Sequence, residues 1–161
     1  MTVTALVGNP RPRSRTHTAA VELRDALAGG GDTALVDLAE LAGELLDPDS
    51  AARRDALATV AESDVLVVAS PTYKATYTGL LKLFLDGYGP SPLAGVEAVP
   101  LMVGAAPHHA LAVDVHLTPL LLELGASVPR RGLYVLESEL ADFAGRAREW
   151  ASLSPTAART G

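Results

Sequence analysis

The sequence predicts an α/β protein built on a doubly wound parallel sheet, with helices on both faces, and three observations carry that expectation. Short, wholly apolar runs alternate along the chain with longer stretches in which apolar residues recur at helical spacing. The runs are rich in Val, Leu and Ala, as strands buried on both faces require. Aromatic residues make up only 4% of the 161 residues, so small aliphatic side chains must fill the core between the layers.

The elements follow in order. Residues 3–7 (VTALV) form an apolar strand that stops at Gly8-Asn9-Pro10. From about Ser14, Ala19, Ala20, Leu23, Ala26 and Leu27 repeat at helical spacing until Gly29-Gly30-Gly31 ends them, and Ser14 or Thr16 is the candidate cap. Residues 33–38 read as a second strand, 41–50 as an irregular connection and 51–61 as a helix. Val65-Leu66-Val67-Val68-Ala69 is the most apolar run and is placed at the centre of the sheet, ended by Ser70-Pro71. A helix begins at Gly79 and stops at the turn-forming residues 87–92, and residues 98–104 form strand four. A helix over 109–124, a strand over 128–135 and a helix over 138–152 complete a single domain, 1–152. The small, polar residues 153–161 read as a frayed tail.

Composition excludes several functions. No cysteine is present, which removes disulfides, thiolate metal sites, iron–sulfur clusters and cysteine nucleophiles, so redox chemistry must come from a cofactor. The net charge of −6 opposes a nucleic-acid partner. No membrane-spanning run or leader is evident, and a cytoplasmic protein is the expectation.

In a sheet of this kind ligands bind beyond the carboxyl ends of the strands. After strand one, Gly8-Asn9-Pro10-Arg11-Pro12-Arg13-Ser14-Arg15-Thr16 combines a tight turn, three arginines, two hydroxyls and a helix N-terminus, which suits an anion. The spacing is neither that of a Walker loop nor that of a dinucleotide fingerprint, and a phosphomonoester carrying a flat group fits better than a nucleoside triphosphate. A helix cap with solvated arginines is the plainer reading, and position after strand one favours phosphate. Residues 70–82 (SPTYKATYTGLLK) set a polar, aromatic loop at the same crevice; taken singly, Tyr73, Tyr77 and Lys74 are ordinary loop residues. Adjacent His108 and His109 lack the spacing of a metal site and read as cap and interface residues, and no metal is expected.

These two loops, with Pro107 to Pro119 (PHHALAVDVHLTP), resemble in order and spacing the NADPH-dependent FMN reductases of the flavodoxin-like fold, above all those that supply reduced flavin to alkanesulfonate monooxygenases. The resemblance spans about residues 3–135 and implies a sheet order of 2-1-3-4-5. It implies that Arg11, Ser14, Arg15 and Thr16 line the FMN phosphate, with Asn9 where the family usually has Ser. It also implies that Pro71, Thr72, Tyr73 and Lys74 border the ribityl chain and ring, and that Gly104 and Ala105 close the other side. Hydride passes from nicotinamide to flavin without a protein acid or base, so no side chain is assigned as catalytic.

Family members that exchange flavin as a substrate often carry a Tyr or His inserted after the Asp of the Ala-Val-Asp stretch, which forms a π-bulge. Here Val115 follows Asp114, and Pro119 removes the N–H that the Val115 carbonyl would use, so a widened turn is a second route to the same feature. FMN as prosthetic group and FMN as exchanging substrate both remain open. The apolar circumference of 109–124 calls for a partner surface, and the resemblance, in whose family this region and the 70s loop pair across a dimer, implies a homodimer or homotetramer, with a flavin-dependent monooxygenase as a further implied partner. Reduction of a quinone, azo or metal acceptor by bound FMN is the alternative. A flavodoxin-type electron carrier is a second one, disfavoured by the few aromatics in these loops.

Overall fold

The computed structural model describes residues 1–153. Five strands, β1 (Thr2–Val7), β2 (Asp32–Asp37), β3 (Val65–Pro71), β4 (Glu97–Gly104) and β5 (Leu133–Leu136), form one sheet in the order β2-β1-β3-β4-β5. Every neighbouring pair is parallel. The expected order and the central position of residues 65–69 are therefore as found.

The two-residue period of the strands sorts the core into two halves. Val3, Ala5, Val7, Val65, Val67, Ala69, Leu101 and Val103 face α1 (Arg15–Ala28) and the C-terminal α-helix, Phe143–Ser152. Leu6, Leu66, Val68, Ala98 and Met102 face α2 (Leu38–Leu41), α3 (Ala51–Ala61), α4 (Gly79–Leu85) and α5 (Thr118–Glu123). The C-terminal helix is then α6. Every residue of β3 and β4 is buried, which explains why both are apolar apart from Ser70, bonded within its own loop, and Glu97, which meets Arg130. Each fully buried Leu or Val in these layers contributes about 1.5–3 kcal/mol.

Four helices begin on side-chain caps: Ser14 accepts from the His17 N–H, Asp37 from Ala39, Ser50 from Arg53 and Thr78 from Leu81. The Thr78 hydroxyl also donates to the Gly8 carbonyl at 2.5 Å, tying the start of α4 to the end of β1. Gly8 has no side chain for a steric reason, since a Cβ there would lie 2.7 Å from Leu81 Cβ.

Four stretches differ from the sequence expectation, the first being a short helix at Leu38–Leu41 where the strand over 33–38 and the connection after it were expected. The fifth strand is Leu133–Leu136 rather than 128–135, with only an isolated bridge from Ser127 to Glu97 before it. Pro129 cannot donate to a ladder, and Arg130 is drawn aside to Glu97 at 3.4 Å and onto the Trp150 ring at 3.9 Å. The last helix starts as a 3-10 turn, Glu137–Asp142, before α6. The helix expected over 109–124 is three pieces: a 3-10 turn at Pro107–His109, a π-helical turn at Val113–Leu117 and α5. The Thr118 N–H bonds the Val113 carbonyl across the wide turn, placing the π turn directly before Pro119. Residues 154–161 of the expected tail lie outside the described residues, and Leu153 forms a turn.

Candidate functional site

A cavity of about 500 Å³ opens where the carboxyl ends of β1, β3, β4 and β5 meet. The loop after β1 supplies most of its wall: Asn9, Arg11, Ser14, Arg15 and Thr16, all named from sequence, with Pro12 and Arg13 between them. Pro71 and Tyr73 come from the end of β3, Val103 from β4 and Glu137 from the turn after β5.

The loop is held from inside. Buried Asn9 donates from Nδ2 to Thr16 Oγ1 at 3.1 Å and accepts the Arg11 N–H on Oδ1 at 2.9 Å. Thr16 Oγ1 accepts that bond, which leaves its own proton for a ligand. Ser14 Oγ accepts the His17 N–H at 3.2 Å and likewise keeps its proton. Arg13 sits at φ 50°, a left-handed conformation that turns the chain towards the start of α1.

Arginines dominate the electrostatics. Among the described residues Arg11 and Arg13 pair with no acid, while Arg15 Nη2 lies 3.0 Å from Glu137 Oε2. The donor set is therefore two unpaired guanidiniums, a third shared with a carboxylate, two free hydroxyl protons and the N-terminus of a 14-residue helix. Such a set fits a phosphate monoester dianion.

The loop after β3 forms the other wall. Ser70 Oγ accepts the Thr78 N–H at 3.0 Å and donates to the Pro71 carbonyl at 2.8 Å, which closes the segment on itself. Within it, Tyr73 and Thr76 exchange backbone bonds of 2.9 and 3.2 Å around Lys74 and Ala75, both left-handed. Tyr73 lines the cavity and is exposed, whereas Lys74 sits at the exposed tip of the turn.

Thr72, Lys74, Gly104 and Ala105 are not part of the cavity wall. The Thr72 N–H bonds the Val103 carbonyl at 2.7 Å, and its hydroxyl is buried with no partner. That orphaned hydroxyl lies beside Gly104, 3.1 Å from where a Cβ would stand, so a ligand group reaching past Val103 would satisfy it. The Tyr134 hydroxyl occupies the rest of the space above Gly104 and donates to the Ala106 carbonyl at 2.8 Å. Val103 and Glu137 went unnamed from sequence. For Glu137 the available signal was position, an acidic residue at the carboxyl end of the last strand.

The fold and this cavity define the class: a flavodoxin-like α/β protein with an arginine- and hydroxyl-lined cavity after its first strand. The family described as NADPH-dependent FMN reductase matches residues 1–140, and the chain belongs to it. It is 36% identical over 140 residues to the NADH-dependent FMN reductase SfnF of Pseudomonas putida, covering 82% of this chain and 75% of that one. It is 34% identical over 148 residues to an FMN reductase (NADPH) of Escherichia coli K12, covering 89% and 77%. Among solved structures, the apo form of the NADH:FMN oxidoreductase EMOB superposes with a TM-score of 0.85 at 30% identity, covering 97% of this chain and 90% of that one.

Proposed function

We propose that the protein is an NAD(P)H-dependent FMN reductase, with NADPH as the hydride donor. The observation that carries this reading is the arginine- and hydroxyl-lined cavity at the strand ends of a chain belonging to this family. Arg11, Ser14, Arg15 and Thr16 hold the FMN phosphate, and Asn9 fixes their loop. Pro71, Thr72 and Tyr73 border the ribityl chain and one side of the ring, with Lys74 at the rim and Gly104 and Ala105 towards the far side. Bound FMN supplies the redox chemistry by accepting a hydride from the nicotinamide. The chain positions the two partners and leaves one flavin face open, since among the described residues Tyr73 is the only aromatic in the cavity wall.

The π turn at Val113–Leu117 and the open cavity favour FMN as an exchanging substrate, released in reduced form to a flavin-dependent monooxygenase. A cytoplasmic location goes with this reading, because reduced pyridine nucleotide is supplied there; among the described residues no helix is long and apolar enough to cross a membrane. A homodimer or homotetramer through 109–124 and the 70s loop is part of the same proposal. Leu111, Val115 and Leu122 are 61%, 56% and 52% exposed, and Tyr73 in the 70s loop is an exposed aromatic, so both segments present apolar surface that a second copy would cover.

The test is NADPH consumption by the purified protein with and without added FMN, with NADH and riboflavin as comparisons. Turnover that depends on added FMN is expected. No oxidation of either nucleotide under any of these conditions would remove the enzyme reading.

A further inference from the structure

The cavity holds one group that a phosphate ligand does not need. Glu137 places Oε2 3.0 Å from Arg15 Nη2, and both side chains line the cavity wall. The frame around this pair is fixed on both sides. Glu139 Oε2 accepts the Leu136 N–H at 3.0 Å and the Arg146 guanidinium at 3.1 Å, which anchors the chain next to Glu137 and neutralises the neighbouring acid. Arg15 is the first residue of α1, directly after the capping Ser14. An entering phosphate therefore meets Arg11 and Arg13 free of acids, and Arg15 already engaged.

We propose that Glu137 sets how weakly the protein holds the phosphate end of its flavin: its carboxylate competes with that phosphate for Arg15. The inference rests on the flavin reading above. Both members of the pair reach solvent, so the bond between them is weak and a dianion displaces it readily. Once displaced, the carboxylate remains at the cavity wall and repels the phosphate. The repulsion acts on the phosphate and not on the uncharged ring, so it lowers the preference for FMN over riboflavin and speeds departure of FMN. A tightly held prosthetic group would gain nothing from such a residue; a flavin that must leave would.

The experiment is a titration of wild type and Glu137→Gln with FMN and with riboflavin, followed by quenching of flavin fluorescence at low and at high ionic strength. Gln keeps the shape of the side chain and removes its charge. The expected result is FMN binding about fivefold tighter in the variant at low salt, with riboflavin changed by less than about twofold. The difference should shrink as salt screens the charges. FMN binding that is unchanged or weaker in the variant overturns the inference and makes Glu137 a support for Arg15. An equal gain for both flavins also overturns it, because the effect would then not act through the phosphate. If wild type binds neither flavin, the flavin reading itself fails, a result distinct from both.

Discussion

The Asn9 side chain joins the two ends of the phosphate-type loop, donating to Thr16 Oγ1 at 3.1 Å while accepting the Arg11 N–H at 2.9 Å. Both its polar ends are engaged by protein, so its part is to hold the loop and to orient the Thr16 proton towards the cavity. Asn9→Ala should cost about 1–2 kcal/mol of stability and weaken FMN binding several-fold, with a larger loss for FMN than for riboflavin. Thermal unfolding and flavin titration check this. Asn9→Ser, which keeps a short polar side chain, should recover part of both.

Gly104 lies under Tyr134. An added Cβ would overlap the Tyr134 hydroxyl and stand 2.8 Å from its Cζ. Gly104→Ala should therefore destabilise the protein by about 1–3 kcal/mol in a denaturant melt. Adding Tyr134→Phe removes the overlapping oxygen but not the crowded ring carbon, so the double variant should recover only part of the loss.

The turn at Lys74-Ala75 places two non-glycine residues at φ 51° and 65°. Two-residue turns of this hand favour Asn and Gly, and an L-residue with a Cβ is strained in them. Ala75→Gly should stabilise by about 0.5–1 kcal/mol, read as a shift of the urea midpoint at unchanged m-value.

Glu22 on α1 has a buried Oε2 with no hydrogen-bond partner. Burial pushes its carboxyl above the ordinary value of 4.5, and the Arg148 guanidinium offsets part of that rise. A folded-state value above the unfolded one means that protonation favours folding. That contribution is fully present below the unfolded value and is lost as pH rises through the folded one. Glu22→Gln should therefore melt above wild type at pH 7, and the two should converge near pH 4. A gap that stays constant across this range would contradict the assignment.

Leu111 and Val115 lie four residues apart on the exposed side of the 107–123 segment. Val115→Asp should shift the proposed oligomer to monomer in light scattering at low micromolar concentration, with no loss of secondary structure in circular dichroism. A wild-type monomer under those conditions would overturn the proposed assembly.

Much of this architecture is legible in the sequence, for reasons that can be stated residue by residue. The strands at 3–7, 65–69 and 98–104 stand out because burial on both faces leaves them apolar but for Thr4, whose hydroxyl accepts from buried Ser63 at 2.6 Å. The fifth strand does not, because Val128 continues its apolar pattern while Pro129 and the side-chain partners of Arg130 prevent pairing. Residues 38–41 hide a short helix, capped by Asp37, that four residues of apolar pattern cannot distinguish from a strand end. The loop at 9–16 was readable as a site because its donors are contiguous. Val103 and Glu137 were not, because they reach the cavity only through the lateral order of β3, β4 and β5.

The wide turn at Val113–Leu117 carries a consequence for how this surface can change. It contains one residue more than an α-helical turn, so the segment before it and the segment after it are out of phase by about 100°. Leu117 and Leu121 stay anchored in the core from the far side of that offset, while Leu111 and Val115 are presented outward from its near side and its middle. Deleting one residue there would rotate the outward-facing side chains by about a quarter turn, and with them the buried Ala112 and Val113, while Leu117 and Leu121 kept their places. A single in-frame codon loss would thus exchange the side chains offered to a neighbouring molecule only at the cost of repacking Ala112 and Val113.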